Sequence, residues 1–201
     1  MTIQELDTYY ESLYKKFKSG NPDFELNHDR AHNTTIERFM LDNSLVINMY
    51  CGEMSVFRNN FYEYINKDNP SKSEESEKLG DILKKKLIES LERFIKKQDT
   101  QLCIFLEKFD ESYFRDLIDR DIFTNGVHLG KIKFFKLDDE LLLKKGLSHV
   151  SYTDSNIVRM EKNQSTHEAT CAINTPMEIM DIWINSFNSI RSVAQPISYP
   201  N

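Results

Sequence analysis

The chain has 201 residues and a mass of 23.7 kDa, which is the size of one ordinary domain. It is 39% hydrophobic and 29% charged with only 6 Gly and 5 Pro, a composition that excludes a disordered, collagen-like or linker-like chain. The 26 basic and 32 acidic residues give a formal net charge of −6, which disfavours indiscriminate binding to nucleic acid or anionic lipid.

The first 44 residues predict two helices. Thr2 and Glu5 have the spacing of a capping box, and the apolar stripe that follows runs to Phe17 before Gly20-Asn-Pro ends the helix. A second helical pattern covers about residues 28–42. We assign residues 1–44 to an N-terminal helical extension packed on a main domain of residues 45–195, with residues 196–201 as a tail.

Strand and helix patterns alternate after residue 44. Residues 45–51, 101–107 and 131–137 are short apolar runs typical of buried strands. A long amphipathic helix is predicted over about residues 77–97, and Asp110 can cap a shorter one. This alternation is the pattern of a parallel α/β sheet.

The last third of the chain has a different pattern. Three short strands separated by polar turns, near residues 148–152, 157–161 and 169–173, predict a meander. A final helix is predicted with Thr175 as N-cap and Pro176 at its first position. The expected fold is therefore α/β, with a mixed, mostly parallel sheet, helices on both faces and the N-terminal helical extension.

The sequence favours a cytoplasmic location without membrane association. Its N-terminus lacks the basic and apolar regions of a secretory signal, and its longest apolar runs are far shorter than the roughly 20 residues that span a bilayer. Cys51, Cys103 and Cys171 form no CxxC pair and lie in apolar runs, so we expect buried reduced thiols, with a nucleophilic Cys51 as the alternative. No motif indicates a cofactor.

From about Leu45 to Ile190 the chain resembles half of a phospholipase D-like domain, and its end, from Cys171 through the helix start at Pro176 to Phe187, is typical of the end of such a domain. The motif of that family is His-x-Lys, four residues, then Asp. His149 matches the histidine, Ser151 stands at the lysine position, and Asn156 stands at the aspartate position with Asp154 in the same turn. The family's later Gly-Ser-x-Asn stretch is missing, and residues 159–163 stand near its place.

The resemblance implies a half-domain of a phospholipase D-like fold. In that family two histidines, one from each half of the molecule, form the catalytic pair, so an active form of this chain requires a homodimer that brings two copies of His149 together. The family's lysine contributes positive charge for a phosphate, which Ser151 cannot supply.

A candidate site follows from the rule that ligands bind at the carboxyl ends of sheet strands. If the strand after His149 is antiparallel to the first strand, six side chains can converge there: Glu53, Ser55, His149, Tyr152, Arg159 and Glu161. Arg159 is suited to grip a phosphate bidentately. The alternatives are a salt bridge between Arg159 and Glu161, which share a strand face, and a hydrogen-bonded, non-catalytic His149.

Two histidines of the second predicted helix allow further interpretations. His32 lies on the apolar face, where it is either hydrogen-bonded at the core edge or reaches into the cleft as a ligand-binding residue. His28 and His32 have a spacing that can hold a metal, but no third ligand is indicated, so we expect no metal site.

These observations leave two main classes of function. The first is a non-catalytic phospholipase D-like module that binds a ligand or protein partner, including a phosphate-bearing one, or regulates an assembly. The alternative is an active phosphodiesterase or nuclease with His149 as the nucleophile in a homodimer. A weaker third idea is nucleic-acid binding through the basic residues between Lys84 and Lys97.

Overall fold

A computed structural model of the chain describes residues 2–27, 29–70, 77–137, 148–163 and 168–200. The strands are β1 (Asp23–Asn27), β2 (Val46–Cys51), β3 (Gln101–Leu106), β4 (Ile132–Leu137), β5 (Val150–Thr153), β6 (Val158–Asn163), β7 (Glu168–Ile173) and β8 (Ala194–Pro196). The helices are α1 (Ile3–Ser19), α2 (Arg30–Asn43), α3 (Asn59–Asp68), α4 (Leu79–Lys96), α5 (Ser112–Arg115), α6 (Arg120–His128) and α7 (Met177–Val193), with a 3₁₀ turn at Ser55–Phe57.

The eight strands form one mixed sheet in the order β1-β7-β6-β5-β2-β3-β4-β8. The predicted α/β fold with helices on both faces is confirmed. Only the pairings of β2 with β3 and of β3 with β4 are parallel, two of the seven pairings, so the expected predominance of parallel pairing is wrong. The physical reason is that the short connections of the β5-β6-β7 meander permit antiparallel pairing alone, and both edge strands also pair antiparallel.

Each face of the sheet carries its own apolar core. On one face, here called the α7 face, Met180, Phe187 and Ile190 of α7 pack on residues that include Phe105 and Tyr152. On the opposite face, here called the α2 face, helices α1 to α6 cover the sheet. Within the described ranges, no helix combines the length and apolar character that crossing a bilayer requires.

The N-terminal residues complete the sheet, which the helical prediction for residues 1–44 missed. β1 follows α1 and pairs antiparallel with β7 at the sheet edge. The amide of Asn174, just after β7, donates hydrogen bonds to the backbone carbonyls of Lys16, Phe17 and Asn21. Nine of the fourteen α2 residues are buried. The division of the chain into domains remains a prediction, but this segment belongs to the shared core.

The final helix and the tail differ in detail from the sequence expectation. The N-cap of α7 is Pro176, one residue later than predicted, and the hydroxyl of Thr175 is buried without a hydrogen-bond partner. Pro196, placed in the tail, instead lies in β8, which pairs with β4. Tyr199 then stacks on Phe134 with 5.8 Å between the ring centroids.

Candidate functional site

A pocket opens on the α2 face where the parallel strands β2 and β3 end. Their pairing continues past the strands, because the backbone N–H of Glu107 donates to the carbonyl of Cys51 at 2.9 Å and that of Lys108 donates to Gly52 at 3.1 Å. This extension fixes Glu107 beside Gly52 at the rim. The pocket therefore lies at the carboxyl ends of the strands, as expected for an α/β sheet.

His149 directly precedes β5, and its side chain lines the pocket. β5 is antiparallel to β2, as the candidate site required, and the backbone N–H of Glu161 donates to the His149 carbonyl at 2.8 Å. The imidazole lies between two carboxylates. Its Nδ1 is 2.7 Å from Oε2 of Glu161, and its Nε2 is 3.0 Å from Oε2 of Glu107.

The backbone at Gly52 makes room for the imidazole. A Cβ at this position would lie 3.0 Å from Cε1 and 3.3 Å from Nε2 of His149, closer than ordinary van der Waals contact. The rings of Tyr50 and His149 also meet edge-on, with 5.8 Å between their centroids. The orientation of the imidazole is thus set by packing as well as by two hydrogen bonds.

The two carboxylates also determine the charge of His149. Burial by itself lowers the pKa of the imidazole, but the hydrogen bonds and charges of Glu161 and Glu107 outweigh it and raise the pKa above the ordinary value of 6.5. Ionised carboxylates only accept hydrogen bonds, so contacts of this length at both ring nitrogens require a proton on each nitrogen. The result is an imidazolium whose charge is neutralised within the site.

Arg159 and Glu37 form a second contact in the pocket. Arg159 and Glu161 share the α2 face of β6, as predicted, but they do not bridge to each other: Arg159 Nε lies 3.9 Å from Oε1 of Glu37 on α2, and Glu161 binds His149. Burial is the main effect that raises the pKa of Glu37 to about 7. Burial likewise raises the pKa of the Cys51 thiol to about 12, which argues against a nucleophilic Cys51.

Glu53 and Ser55 lie in the wall of the pocket, as expected. Glu53 is held by Arg58, whose Nη1 is 3.3 Å from the Glu53 carboxylate, and the Arg58 guanidinium also stacks on Tyr113. Ser55 is exposed at the start of the 3₁₀ turn. Four expected residues, together with His149 and Lys108, thus converge around one opening: Glu53, Ser55, Arg159 and Glu161.

Two expected site residues lie elsewhere. Tyr152 points to the α7 face, where its ring packs edge-on against Phe187 at 4.8 Å, because side chains alternate along β5 and its neighbour Ser151 takes the pocket side. His32 lies at the start of α2 with Nδ1 3.0 Å from the N-cap Asp29 and its ring against Tyr9. His32 is therefore hydrogen-bonded at the start of the helix and does not reach into the pocket.

The other positions of the family motif are also placed by the strand geometry. Ser151, at the lysine position, is buried in the pocket and carries no charge. Asp154 accepts hydrogen bonds from the backbone N–H groups of Leu45 and Val46, at the opposite end of β2 from the pocket. Asn156 lies in the same distant turn with a left-handed φ of 58°.

Two acidic residues of the pocket, Glu37 and Glu107, are not among the site residues expected from the sequence. The sequence places Glu107 at the carboxyl end of a buried strand, and this is the signal that also points to Glu53. Glu37 lies on a helix face among apolar residues, so no local pattern marks it. The described residues contain no cluster of three or more His, Cys, Asp or Glu that could hold a metal ion, and His28 lies outside them.

Comparisons with known proteins support the fold alone. No protein-family model matches the chain, and no curated protein matches it in sequence. The structure is similar to TrmBL2, described as an archaeal chromatin protein with a novel mode of DNA binding, with a TM-score of 0.54 and 12% identity over 96% of this chain. This chain spans 64% of the length of that protein.

A second similar structure is Nuc from Salmonella typhimurium, described as a phospholipase D family member. It matches with a TM-score of 0.52 and 10% identity over 88% of this chain and 99% of Nuc. The architecture of the chain is therefore consistent with the phospholipase D-like fold.

Proposed function

We propose that this chain is a non-catalytic phospholipase D-like module whose pocket beside His149 binds a ligand or a protein partner. The observation that carries the proposal is the occupation of both imidazole nitrogens by carboxylates, Glu161 at Nδ1 and Glu107 at Nε2. A nucleophilic histidine needs a nitrogen lone pair directed at the substrate. Here each ring nitrogen faces a carboxylate, so neither directs a lone pair at a substrate.

The charges of the pocket also disfavour phosphoryl chemistry. Ser151 supplies no positive charge where the related enzymes have lysine, and the carboxylate of Glu107 repels an anion that approaches Nε2. Stabilising the transition state of a phosphate diester requires uncompensated positive charge at the reacting group. The pocket offers Arg159 and Lys108 at its sides, which can bind an anion without activating it.

We propose a phosphate-bearing ligand as the class that Arg159 selects. Its Nε is buried without a hydrogen-bond partner, and the neighbouring Glu37 is largely protonated below pH 7, the value to which burial raises its pKa. Inorganic phosphate should therefore raise the melting temperature of the wild type but not of Arg159→Gln. Arg120→Gln, which changes an exposed arginine of α6, serves as the matched charge control; equal stabilisation of Arg159→Gln would remove this ligand class.

Nucleic-acid binding through α4 has less support, although TrmBL2 is described as binding DNA. Most of the basic side chains between Lys84 and Lys97 already have partners within the chain. Lys84 contacts Asn59, Arg93 contacts Asp42, and Lys97 donates to the carbonyls at the end of α2. Lys86 and Lys96 form ion pairs with Asp7 and Glu92. Phosphate contacts by these groups would require breaking these interactions.

The proposal is tested by asking whether His149 ever forms a covalent bond to phosphorus. The full chain is incubated with bis(p-nitrophenyl) phosphate over a range of protein concentrations, then quenched in base and examined by mass spectrometry. We expect no phosphohistidine at His149 and no nitrophenol release above that of His149→Ala. An adduct on His149, with turnover that rises steeper than linearly with protein concentration, would instead establish the phosphodiesterase that works as a homodimer.

A further inference from the structure

Among the described residues, α7 covers the central strands of the α7 face, whereas large apolar side chains of the edge strand β1 are exposed. The buried side chains of α7 pack on the central strands, from Leu137 of β4 to Val158 of β6. Strand pairing aligns Phe24, Ala172 and Val158 in one row across β1, β7 and β6. The next row consists of Leu26, Thr170 and Met160. Because side chains alternate along strands, both rows point to the α7 face.

These rows and one flank of α7 enclose an apolar groove, here called the α7 groove. Its floor includes Val158, Met160 and Ala172, and its α7 wall is formed by Ile179 and Trp183. On its other side, Phe24 and Leu26 of β1 are 62% and 51% exposed, while Ile179 is 47% exposed. Large apolar side chains gathered in this way mark an interaction surface, whereas scattered ones do not.

The dimensions of the α7 groove fit one helix. Three strands spaced about 4.8 Å apart present a floor about 14 Å wide, and helices pack about 8–10 Å from their neighbours. Five residues of β1 at about 3.4 Å each give a length near 17 Å, which matches about 11 helical residues at ~1.5 Å each.

The same dimensions argue against a second copy as the occupant. A floor about 14 Å by 17 Å is on the order of 240 Å², well below the roughly 800 Å² per partner that a stable protein dimer buries. The exposed Glu178 lies next to Ile179 on the wall helix, so two copies would bring like charges together, and an anionic lipid surface is disfavoured for the same reason.

We propose that the α7 groove docks one amphipathic helix of a partner protein, about three turns long, with an apolar stripe toward Phe24 and Ile179 and a basic side chain beside Glu178. Leu or Met side chains at i, i+3, i+4 and i+7 of that helix supply such a stripe. The groove lies on the opposite sheet face from His149, so this binding is independent of the pocket function proposed above.

Trp183 is the single tryptophan of the chain and lines the groove, so its emission reports occupancy directly. The full chain is titrated with a 14-residue helical peptide carrying Leu at i, i+3, i+4 and i+7 and Lys on its other face. A scrambled peptide and one with Glu in place of Lys are the controls. We expect a saturating blue shift with the Lys peptide alone, and no change in its affinity in His149→Ala.

Variants separate docking from non-specific adsorption. Phe24→Ser and Ile179→Ser should each weaken binding of the Lys peptide at least tenfold, and Glu178→Lys should reverse the preference toward the Glu peptide. Leu129→Ser changes a residue that is 56% exposed outside the groove and should leave binding unchanged. An unshifted Trp183, equal binding of the scrambled peptide, or a dimer that Phe24→Ser dissociates in sedimentation would overturn the proposal.

Discussion

The pKa of His149 depends on the two carboxylates that contact its ring. These carboxylates raise the pKa above 6.5, and removing one of them removes about 1.5–3 kcal/mol of charge-assisted hydrogen bonding. Glu107→Gln should therefore lower the pKa of His149 toward its ordinary value, because the ring loses one of the two carboxylates that favour its charged form. A titration of the ring resonances by NMR measures this, and Glu53→Gln, which removes a carboxylate bound to Arg58, should leave the pKa of His149 unchanged.

The same shift predicts how stability depends on pH. The folded state holds the His149 proton more tightly than the unfolded state does, so its contribution to the free energy of unfolding is complete below about pH 6.5 and is lost as pH rises through the folded pKa. Urea unfolding of wild type and His149→Gln should show a difference that shrinks with rising pH. A difference that grew with pH would mean that the folded protein holds this imidazole neutral.

The raised pKa of Glu37 predicts a second pH range in which the free energy of unfolding changes. Burial raises its pKa from 4.5 to about 7, so the folded state binds its proton more tightly and this contribution to stability falls between about pH 4.5 and 7. The shift corresponds to about 3 kcal/mol. Glu37→Gln has the same shape without the charge, and the difference in unfolding free energy between variant and wild type should widen in its favour across this window. A constant difference would show that Glu37 is ionised throughout.

The connection between β7 and α7 illustrates how elements are joined. Asn174 adopts a left-handed φ of 52°, which Asn tolerates better than most residues, and its amide satisfies three carbonyls at and after the end of α1. Asn174→Gly keeps the backbone conformation and loses the hydrogen bonds, at a cost of about 1–3 kcal/mol. Asn174→Ala adds the left-handed strain and should unfold at lower urea than Asn174→Gly. Equal midpoints would contradict a conformational role.

Periodicity and caps predicted most elements, but not how the strands align. The meander, the amphipathic helices and the shared face of Arg159 and Glu161 follow from local patterns. The face of the sheet on which Tyr152 lies depends on how β5 pairs with its neighbours, because a register shift of one residue moves every side chain of a strand to the opposite face. The pairing of Ser151 with Arg159 decides it. β1 was missed because Asp23–Asn27 has only five residues, too few for its alternation of polar and apolar side chains to stand out, and it forms a strand through its pairing with β7.

The two faces of the sheet give the whole molecule two distinct surfaces. The α2 face carries a polar pocket in which two carboxylates hold the His149 side chain, whereas the α7 face carries an apolar groove. No local pattern showed Glu37 as part of the site, because a helix of the N-terminal segment brings it there. The candidate site therefore depends on the packing of residues that are far apart in the sequence.

The N-terminal segment should therefore be required for folding of the entire chain. α2 contributes Ile36 and Phe39, both fully buried, to the core that also contains Leu83, Leu87 and Leu91 of α4. Removing residues 1–44 exposes that core and leaves β7 without its partner β1, so we expect no cooperative urea transition for residues 45–201. Phe39→Ala in the full chain, which costs about 3–5 kcal/mol, should retain a cooperative transition at lower urea. Cooperative unfolding of the 45–201 fragment would show instead that the first 44 residues are a dispensable extension.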